Sequence, residues 1–122
     1  MTSPGNLGKR ILLADDELSV RTSLRMALKL DGHTVAEAEN GREALERFAQ
    51  EPFDLVITDY CMPEMQGDEL ALNIRQLAPR QRIIMITAHA AELEGSRSPV
   101  NAVLSKPFPY ETLRRAMTEV LA

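Results

Sequence analysis

Short apolar runs alternate with amphipathic stretches along this chain. Five runs of four to six residues are predicted to be strands: four are rich in Ile, Leu, Val and Ala, and the second alternates weakly between apolar and polar residues. They span residues 11–14, 33–38, 53–58, 83–86 and 102–105. Four further stretches carry apolar residues three or four positions apart, which predicts helices. They span residues 18–30, 44–49, 70–77 and 113–121.

The segment between the fourth and fifth predicted strands has a weaker pattern. Ala90 and Leu93 favour a short helix, whereas Gly95 and Pro99 limit it to about two turns. We therefore predict a short or irregular helix in residues 88–100. Strands that alternate with helices form a parallel sheet with helices on both faces. The chain is thus predicted to be a doubly wound α/β domain of five βα units.

Composition limits the class of protein. The 122 residues suffice for one domain, and 14 Lys and Arg against 18 Asp and Glu give a net charge of −4. This balance disfavours a nucleic-acid surface, which needs clustered basic residues. A single cysteine is typical of a reducing compartment, and no apolar run approaches the roughly 20 residues of a membrane helix. We expect a cytoplasmic protein that binds neither membranes nor nucleic acid directly.

Polar residues follow the apolar part of four of the five predicted strands. The first strand is followed by Asp15 and Asp16, and the third, fourth and fifth by Asp59, Thr87 and Lys106. Because the carboxyl ends of parallel strands meet at one sheet edge, where such sheets bind ligands, we expect these side chains to lie close together.

Each of these residues has an ordinary structural explanation when it is taken alone. Asp15 and Asp16 are favoured at a helix N-terminus by the helix dipole, and Asp59 is suited to a turn. Thr87 is common at strand ends, and Lys106 is typical of an exposed surface. Only three of the basic residues are lysines, however, and the strand ends carry complementary chemistry. Their combination favours a functional site.

The chemistry expected of this set is phosphoryl transfer. Two unit charges about 4 Å apart repel by roughly 4 kcal/mol at an effective dielectric of 20, so clustered carboxylates take up protons or bind a cation. Oxygen ligands with space for water favour Mg²⁺. Lys106 and the Thr87 hydroxyl are suited to an entering phosphate. Asp59, on the central strand, is then the natural nucleophile, and its attack on phosphorus would give an acyl phosphate.

The chain resembles the receiver domain of two-component response regulators, which has a flavodoxin-like fold. The resemblance covers residues 10–121 and rests on four segments, ILLADDE (11–17), DLVITDYCMPEMQG (54–67), ITA (86–88) and KPF (106–108). It implies the strand order 2-1-3-4-5 and a receiver domain in residues 10–122 after a tail of residues 1–9. It also implies that Asp59 accepts a phosphoryl group from the phosphohistidine of a histidine kinase, which switches protein–protein contacts.

The resemblance further implies a magnesium site and a pocket rim. Asp15, Asp16, Asp59 and the backbone carbonyl of Cys61 would hold Mg²⁺, with Asp16 as the main direct ligand. The rim of the phosphorylation pocket would be formed by Cys61, Met62 and His89. The Cys61 side chain is expected to modulate dephosphorylation. A redox role for its thiol is the alternative, although no basic neighbour in the sequence suggests an activated thiolate.

Thr87 and Lys106 match the phosphoryl-binding switch residues of this family, and Lys106–Pro107 matches a cis peptide bond. Two features depart from the family pattern. Val103 occupies the strand position where an aromatic residue usually couples to the Thr87 position. The segment from Thr87 to Lys106 is about one helical turn shorter than usual, which again predicts a short or irregular helix there.

The implied partners are a histidine kinase or histidine phosphotransfer protein, and a downstream target or output domain. The domain would be a monomer or a phosphorylation-dependent dimer, and it would catalyse only its own phosphorylation and dephosphorylation. A degenerate receiver that acts by protein contact alone is one alternative. A Mg²⁺-dependent aspartyl phosphohydrolase is another, but it needs a second acid close after the nucleophile, and the next acid after Asp59 is Glu64, beyond Pro63. A flavodoxin-like domain that binds FMN has the same pattern of layers, but the acidic strand ends of this chain would repel the FMN phosphate.

Overall fold

The computed structural model describes residues 8–88 and 99–122, which form five strands and four helices. In chain order these are β1 (Arg10–Ala14), α1 (Leu18–Leu30), β2 (Thr34–Ala38), α2 (Gly41–Gln50), β3 (Leu55–Asp59), α3 (Gly67–Leu77), β4 (Arg82–Thr87), β5 (Ala102–Ser105) and α4 (Tyr110–Leu121). The predicted boundaries differ from these by at most three residues. His89 and most of the predicted short helix fall on residues 89–98, outside the described residues. In the described part of the chain, no helix combines the length and apolarity that a membrane crossing requires.

The five strands form one parallel sheet in the order β2-β1-β3-β4-β5. This confirms the predicted doubly wound class and strand order. The register pairs Asp59 with Ile86 and Thr87 with Ser105, so the carboxyl ends of β3, β4 and β5 are nearly level. Residues that follow these strands therefore enter the same region of space.

Two apolar layers enclose the sheet. Along β1, Ile11 and Leu13 pack with residues of α1 and α4, whereas Leu12 and Ala14 pack with residues of α2 and α3. Both faces of the strand are buried, which is why its sequence is continuously apolar instead of alternating. Burial of each Leu or Ile side chain contributes about 1.5–3 kcal/mol to the free energy that favours folding. The rigidity of these layers holds the strand ends in place.

Local chemistry determines two of the helix ends. Gly32 follows α1 with a φ of 94° and donates its N–H to the carbonyl oxygen of Lys29 at 3.0 Å. That left-handed conformation suits glycine, so the helix ends there. Asn40 begins α2, since its side-chain oxygen accepts a hydrogen bond from the Glu43 N–H at 2.7 Å.

Candidate functional site

The carboxyl ends of four strands bring the predicted polar residues to one edge of the sheet. Asp15 follows β1 directly, Asp59 and Thr87 are the last residues of β3 and β4, and Lys106 follows β5. The Lys106 N–H donates to the Thr87 carbonyl oxygen at 2.8 Å, so strand pairing continues to the edge. The backbone thus determines where these side chains begin.

Asp15 is the most constrained residue of this edge. It is fully buried, and its N–H donates to the Ala38 carbonyl oxygen at 3.1 Å. Its Oδ1 accepts a hydrogen bond from the Glu17 N–H at 2.9 Å, and its Oδ2 accepts one from Lys106 Nζ at 3.1 Å. A buried carboxylate requires such partners, because an unpaired one loses its solvation without compensation.

Lys106 joins the acids of the site. Besides contacting Asp15, its Nζ lies 3.3 Å from Asp59 Oδ2 and 3.8 Å from Glu17 Oε1. The Asp59 and Lys106 side chains are 8% and 17% exposed, so solvent screens their interaction only weakly. One ammonium group therefore faces several carboxylates in a largely buried setting, which leaves the site with an excess of negative charge.

The surroundings shift the pKa values of Asp59 and Lys106. Burial, reinforced by the neighbouring Asp15 charge, raises the pKa of Asp59 above its usual value, although Lys106 opposes this rise. Burial also works against the charged form of Lys106, but the carboxylates of Asp15 and Asp59 raise its pKa overall. Lys106 is therefore held as an ammonium, while the negative charge of Asp59 is incompletely balanced.

Three carboxylates are arranged as a possible cation site. Oxygen atoms of Asp15, Glu17 and Asp59 all lie within 4.8 Å of one another. These hard oxygen donors suit Mg²⁺, and the uncompensated charge of Asp59 gives a divalent cation an electrostatic reason to bind. Glu17 was not among the predicted ligands, although it is the third acid of the Asp15-Asp16-Glu17 run. The Asp16 side chain is exposed and lines the adjacent cleft.

An open cleft of about 320 Å³ lies over these carboxylates. Its walls are formed by Asp16, Glu17, Asp59, Cys61, Thr87, Ala88 and Lys106. Thr87 is buried and Cys61 is exposed, so the cleft has a hydroxyl-bearing residue at its base and a thiol at its mouth. The cleft can admit a phosphoryl group and water beside Asp59.

Met62 is not among the residues that line the cleft. The sequence predicts it at the pocket rim, whereas its side chain is only 7% exposed and packs in the core beneath α2 and α3. Its Sδ lies 4.0 Å from Thr58 Oγ1. The apolar thioether gains more from this burial than from the polar cleft, so Cys61 alone of these two residues borders the opening.

The loop after β3 is packed tightly against the phosphoacceptor candidate. The Gly67 N–H donates to the Tyr60 carbonyl oxygen at 2.8 Å. A Cβ atom at Gly67 would collide with the backbone carbonyl of Asp59, so glycine is required by this close approach. The Thr58 hydroxyl donates to the same carbonyl at 2.9 Å. These contacts hold the Asp59 backbone while its side chain faces the cleft.

Two features of β5 and its end were also predicted. The Lys106–Pro107 peptide bond is cis. Val103 pairs with Met85 of β4 in the sheet register and is 36% exposed. Its branched side chain has no polar-tipped ring, so a coupled movement of Thr87 and an aromatic residue at this position is absent from this chain.

Known proteins match this fold and sequence. The family model for the response regulator receiver domain matches residues 11–118. Response regulator receiver protein CpdR of Brucella abortus (strain 2308) is 42% identical over 116 residues, which cover 93% of this chain and 97% of CpdR. Response regulator MprA of Mycolicibacterium vanbaalenii is 36% identical over 115 residues, which cover 92% of this chain and 50% of MprA.

A solved structure gives the same result. Response regulator protein TrrA of Thermotoga maritima, in complex with Mg²⁺–BeF, superposes with a TM-score of 0.87 at 35% identity, over 93% of this chain and 99% of TrrA. The chain spans nearly all of CpdR but only half the length of MprA. The superposition on TrrA agrees with the five-stranded parallel sheet of this chain. The chain belongs to the response regulator receiver domain family of two-component signalling systems.

Proposed function

We propose that this receiver domain accepts a phosphoryl group on Asp59 from the phosphohistidine of a histidine kinase or phosphotransfer protein. One observation carries the proposal: the nearly buried Asp59 carboxylate, 3.3 Å from Lys106 Nζ, borders an open cleft. An accessible carboxylate with a fixed cation beside it can attack an incoming phosphorus atom. The lysine then lies where charge on the phosphoryl oxygens must be balanced.

In the proposed transfer step, residues of this chain supply both the nucleophile and the groups that bind the phosphoryl oxygens. An oxygen of the Asp59 carboxylate forms a bond to phosphorus, and the bond between phosphorus and the histidine nitrogen breaks. The electron pair of the broken bond stays on the imidazole, and an acyl phosphate remains on Asp59. Lys106 pairs with the new phosphoryl oxygens, and the Thr87 hydroxyl donates to one of them. This exchange of partners at Lys106 and Thr87 is the proposed switch signal.

The transfer is proposed to depend on Mg²⁺. Asp15, Asp16, Asp59 and the backbone carbonyl of Cys61 are the proposed protein ligands, and Glu17 joins them because its carboxylate lies among the clustered oxygens. A bound Mg²⁺ would neutralise charge on the carboxylates and the phosphoryl group. The complex of the relative TrrA with Mg²⁺–BeF supports this choice of cation.

The proposed role requires two kinds of protein partner in the cytoplasm. A kinase or phosphotransfer protein would donate the phosphoryl group, and a downstream protein, or an output domain elsewhere in a longer chain, would respond to the switched surface. The assembled acids, lysine and cleft support this role over a degenerate receiver, which would not need them.

The test is incubation of the purified chain with Mg²⁺ and acetyl phosphate, a small phosphodonor, followed by intact mass measurement. We expect addition of one phosphoryl group, its absence without Mg²⁺, and its loss in Asp59→Asn. Asp54→Asn is a matched control, since Asp54 lies at the opposite end of β3 and accepts from the Arg10 N–H at 2.8 Å. Uptake by Asp59→Asn would show that another residue is the acceptor. Failure of the wild-type chain would favour the degenerate receiver.

A further inference from the structure

Arg21 of α1 lies directly behind the acidic edge. Its side chain is 12% exposed, and its Nη1 donates to the backbone carbonyl oxygen of Asp15 at 2.6 Å. Its Nε donates to Glu37 Oε1 of β2 at 3.0 Å. Its backbone N–H also donates to the Glu17 carbonyl oxygen at 3.0 Å. The Arg21 side chain therefore links the Asp15 end of the acidic segment to β2, whereas the bond to Glu17 is the ordinary first backbone hydrogen bond of α1.

We propose that Arg21 is a positioning residue for Mg²⁺ binding, an inference that rests on the proposed function. The Asp15 carbonyl belongs to the peptide unit that joins Asp15 to Asp16. A guanidinium bound to this oxygen fixes the orientation of that peptide plane and the direction in which the Asp16 side chain leaves the chain. Arg21 would thus hold the acidic segment ready for a cation without contacting the cation itself.

The charges around Arg21 indicate that its effect is positional. Glu37 balances the guanidinium and is itself shared with Arg25, whose Nη1 lies 3.3 Å from Glu37 Oε2. In the same segment the Glu17 N–H donates to Asp15 Oδ1 at 2.9 Å. Without the guanidinium, mutual repulsion of the neighbouring carboxylates favours a more open segment. The ordering must then occur when the cation binds, which weakens affinity.

Isothermal titration of the metal-free chain with MgCl₂ tests this role. We expect Arg21→Met to raise the Mg²⁺ Kd by about tenfold, the lower end of the range of about 10- to 100-fold found for residues that orient metal ligands. Arg21→Lys should restore part of the affinity, because an ammonium can donate to the Asp15 carbonyl without also bracing Glu37. Glu37→Gln should cause a smaller rise. Arg114→Met is the matched control, since Arg114 also links a helix to a carboxylate, that of Asp31, outside the cleft lining.

Amide hydrogen exchange in the metal-free chain gives a second measurement. Arg21→Met should accelerate exchange of the Glu17 N–H more than that of the α4 amides, whereas Arg114→Met should not. An Arg21→Met Kd equal to that of Arg114→Met, with unchanged Glu17 exchange, would overturn the inference. If the wild-type chain binds no Mg²⁺, the proposed function fails separately. The exchange comparison then still decides whether Arg21 orders the acidic segment.

Discussion

The Lys106 ammonium lies 3.3 Å from the Asp59 carboxylate and 3.1 Å from that of Asp15. Lys106 follows an edge strand and Asp59 ends the central one, and β4 lies between them in the sheet. The contact therefore spans a neighbouring strand and depends on the long lysine side chain. It places a cation at the same carboxylates that are proposed to hold Mg²⁺. Under the proposed function, the two positive charges would compete before phosphorylation and would both stabilise a bound phosphoryl group.

Lys106→Met should separate these two roles. We expect Mg²⁺ affinity to stay intact or to rise by up to about tenfold, because one competing positive charge is removed from the carboxylates. The response to a phosphoryl mimic should be impaired, since its oxygens lose their ion partner. Magnesium titration and NMR shifts on addition of Mg²⁺ and beryllofluoride measure the two effects. The exposed Lys29 provides the control Lys29→Met, and weaker Mg²⁺ binding by Lys106→Met alone would contradict the prediction.

Asp59→Asn should make the domain more stable at neutral pH. Burial and Asp15 raise the folded-state pKa of Asp59 above its usual value near 3.8, so the folded protein binds this proton more tightly than the unfolded chain. The group thus favours folding at low pH, and that contribution is lost as the pH rises through the folded-state pKa. The amide carries no charge to desolvate, so we expect a gain of about 1 kcal/mol at pH 7.

Urea denaturation in metal-free buffer measures this effect. The difference between Asp59→Asn and the wild type should shrink as the pH is lowered toward 4, while Asp54→Asn should show no such convergence. A variant less stable than the wild type at pH 7 would mean that Lys106 stabilises the charged Asp59 more than burial penalises it.

The sequence predicts well which residues share the site, because a parallel sheet brings the carboxyl ends of its strands to one edge. Short apolar runs are easily recognised, and four of the five are followed directly by a residue of the candidate site, such as Asp59 or Lys106. The strand order follows from the family resemblance and is confirmed.

Other features of the site depend on distances that no pattern encodes. Glu17 looks like an ordinary acid at a helix start, and only the folded loop places its carboxylate beside Asp15 and Asp59. Arg21 is one of two arginines in an amphipathic helix, and its contact with the Asp15 carbonyl depends on the entry angle of α1. Met62 shows the opposite case, since membership of a recognisable motif does not determine on which side of the loop a side chain packs.

Gly67→Ala should destabilise the domain, because Gly67 lies against the backbone of Asp59 in the candidate site. Within a helix, alanine is ordinarily favoured over glycine by about 1 kcal/mol. Here the added methyl group would collide with the Asp59 carbonyl, which must move. We expect a net loss of about 1–3 kcal/mol in urea denaturation, the usual cost of overpacking, together with weaker Mg²⁺ binding. If Gly67→Ala instead stabilises the domain, as the substitution does at an ordinary helical glycine, the loop after β3 can move to accommodate the methyl group.

Asp31→Asn should destabilise the fold and leave the site intact. Asp31 follows α1 and accepts hydrogen bonds from Arg114 Nε at 2.9 Å and Tyr110 Oη at 2.8 Å, which join α1 to α4. Hydrogen bonding from Arg114 is the main reason that the pKa of Asp31 lies below its usual value of 3.8. This contribution is therefore present above pH 3.8 and lost as the pH falls through the folded-state pKa, opposite in sign to that of Asp59.

Urea denaturation measures the stability of Asp31→Asn, and Mg²⁺ titration measures whether its site is intact. We expect a loss of about 1 kcal/mol at pH 7, since the amide keeps an acceptor for the tyrosine but loses the charge opposite Arg114. The Mg²⁺ Kd should be unchanged, because the contact lies outside the cleft lining. Glu111→Gln removes the other, exposed partner of Arg114 and should change stability by only a few tenths of a kcal/mol. Equal losses in both variants would show that Arg114 stabilises the domain through general surface charge and not by joining α1 to α4.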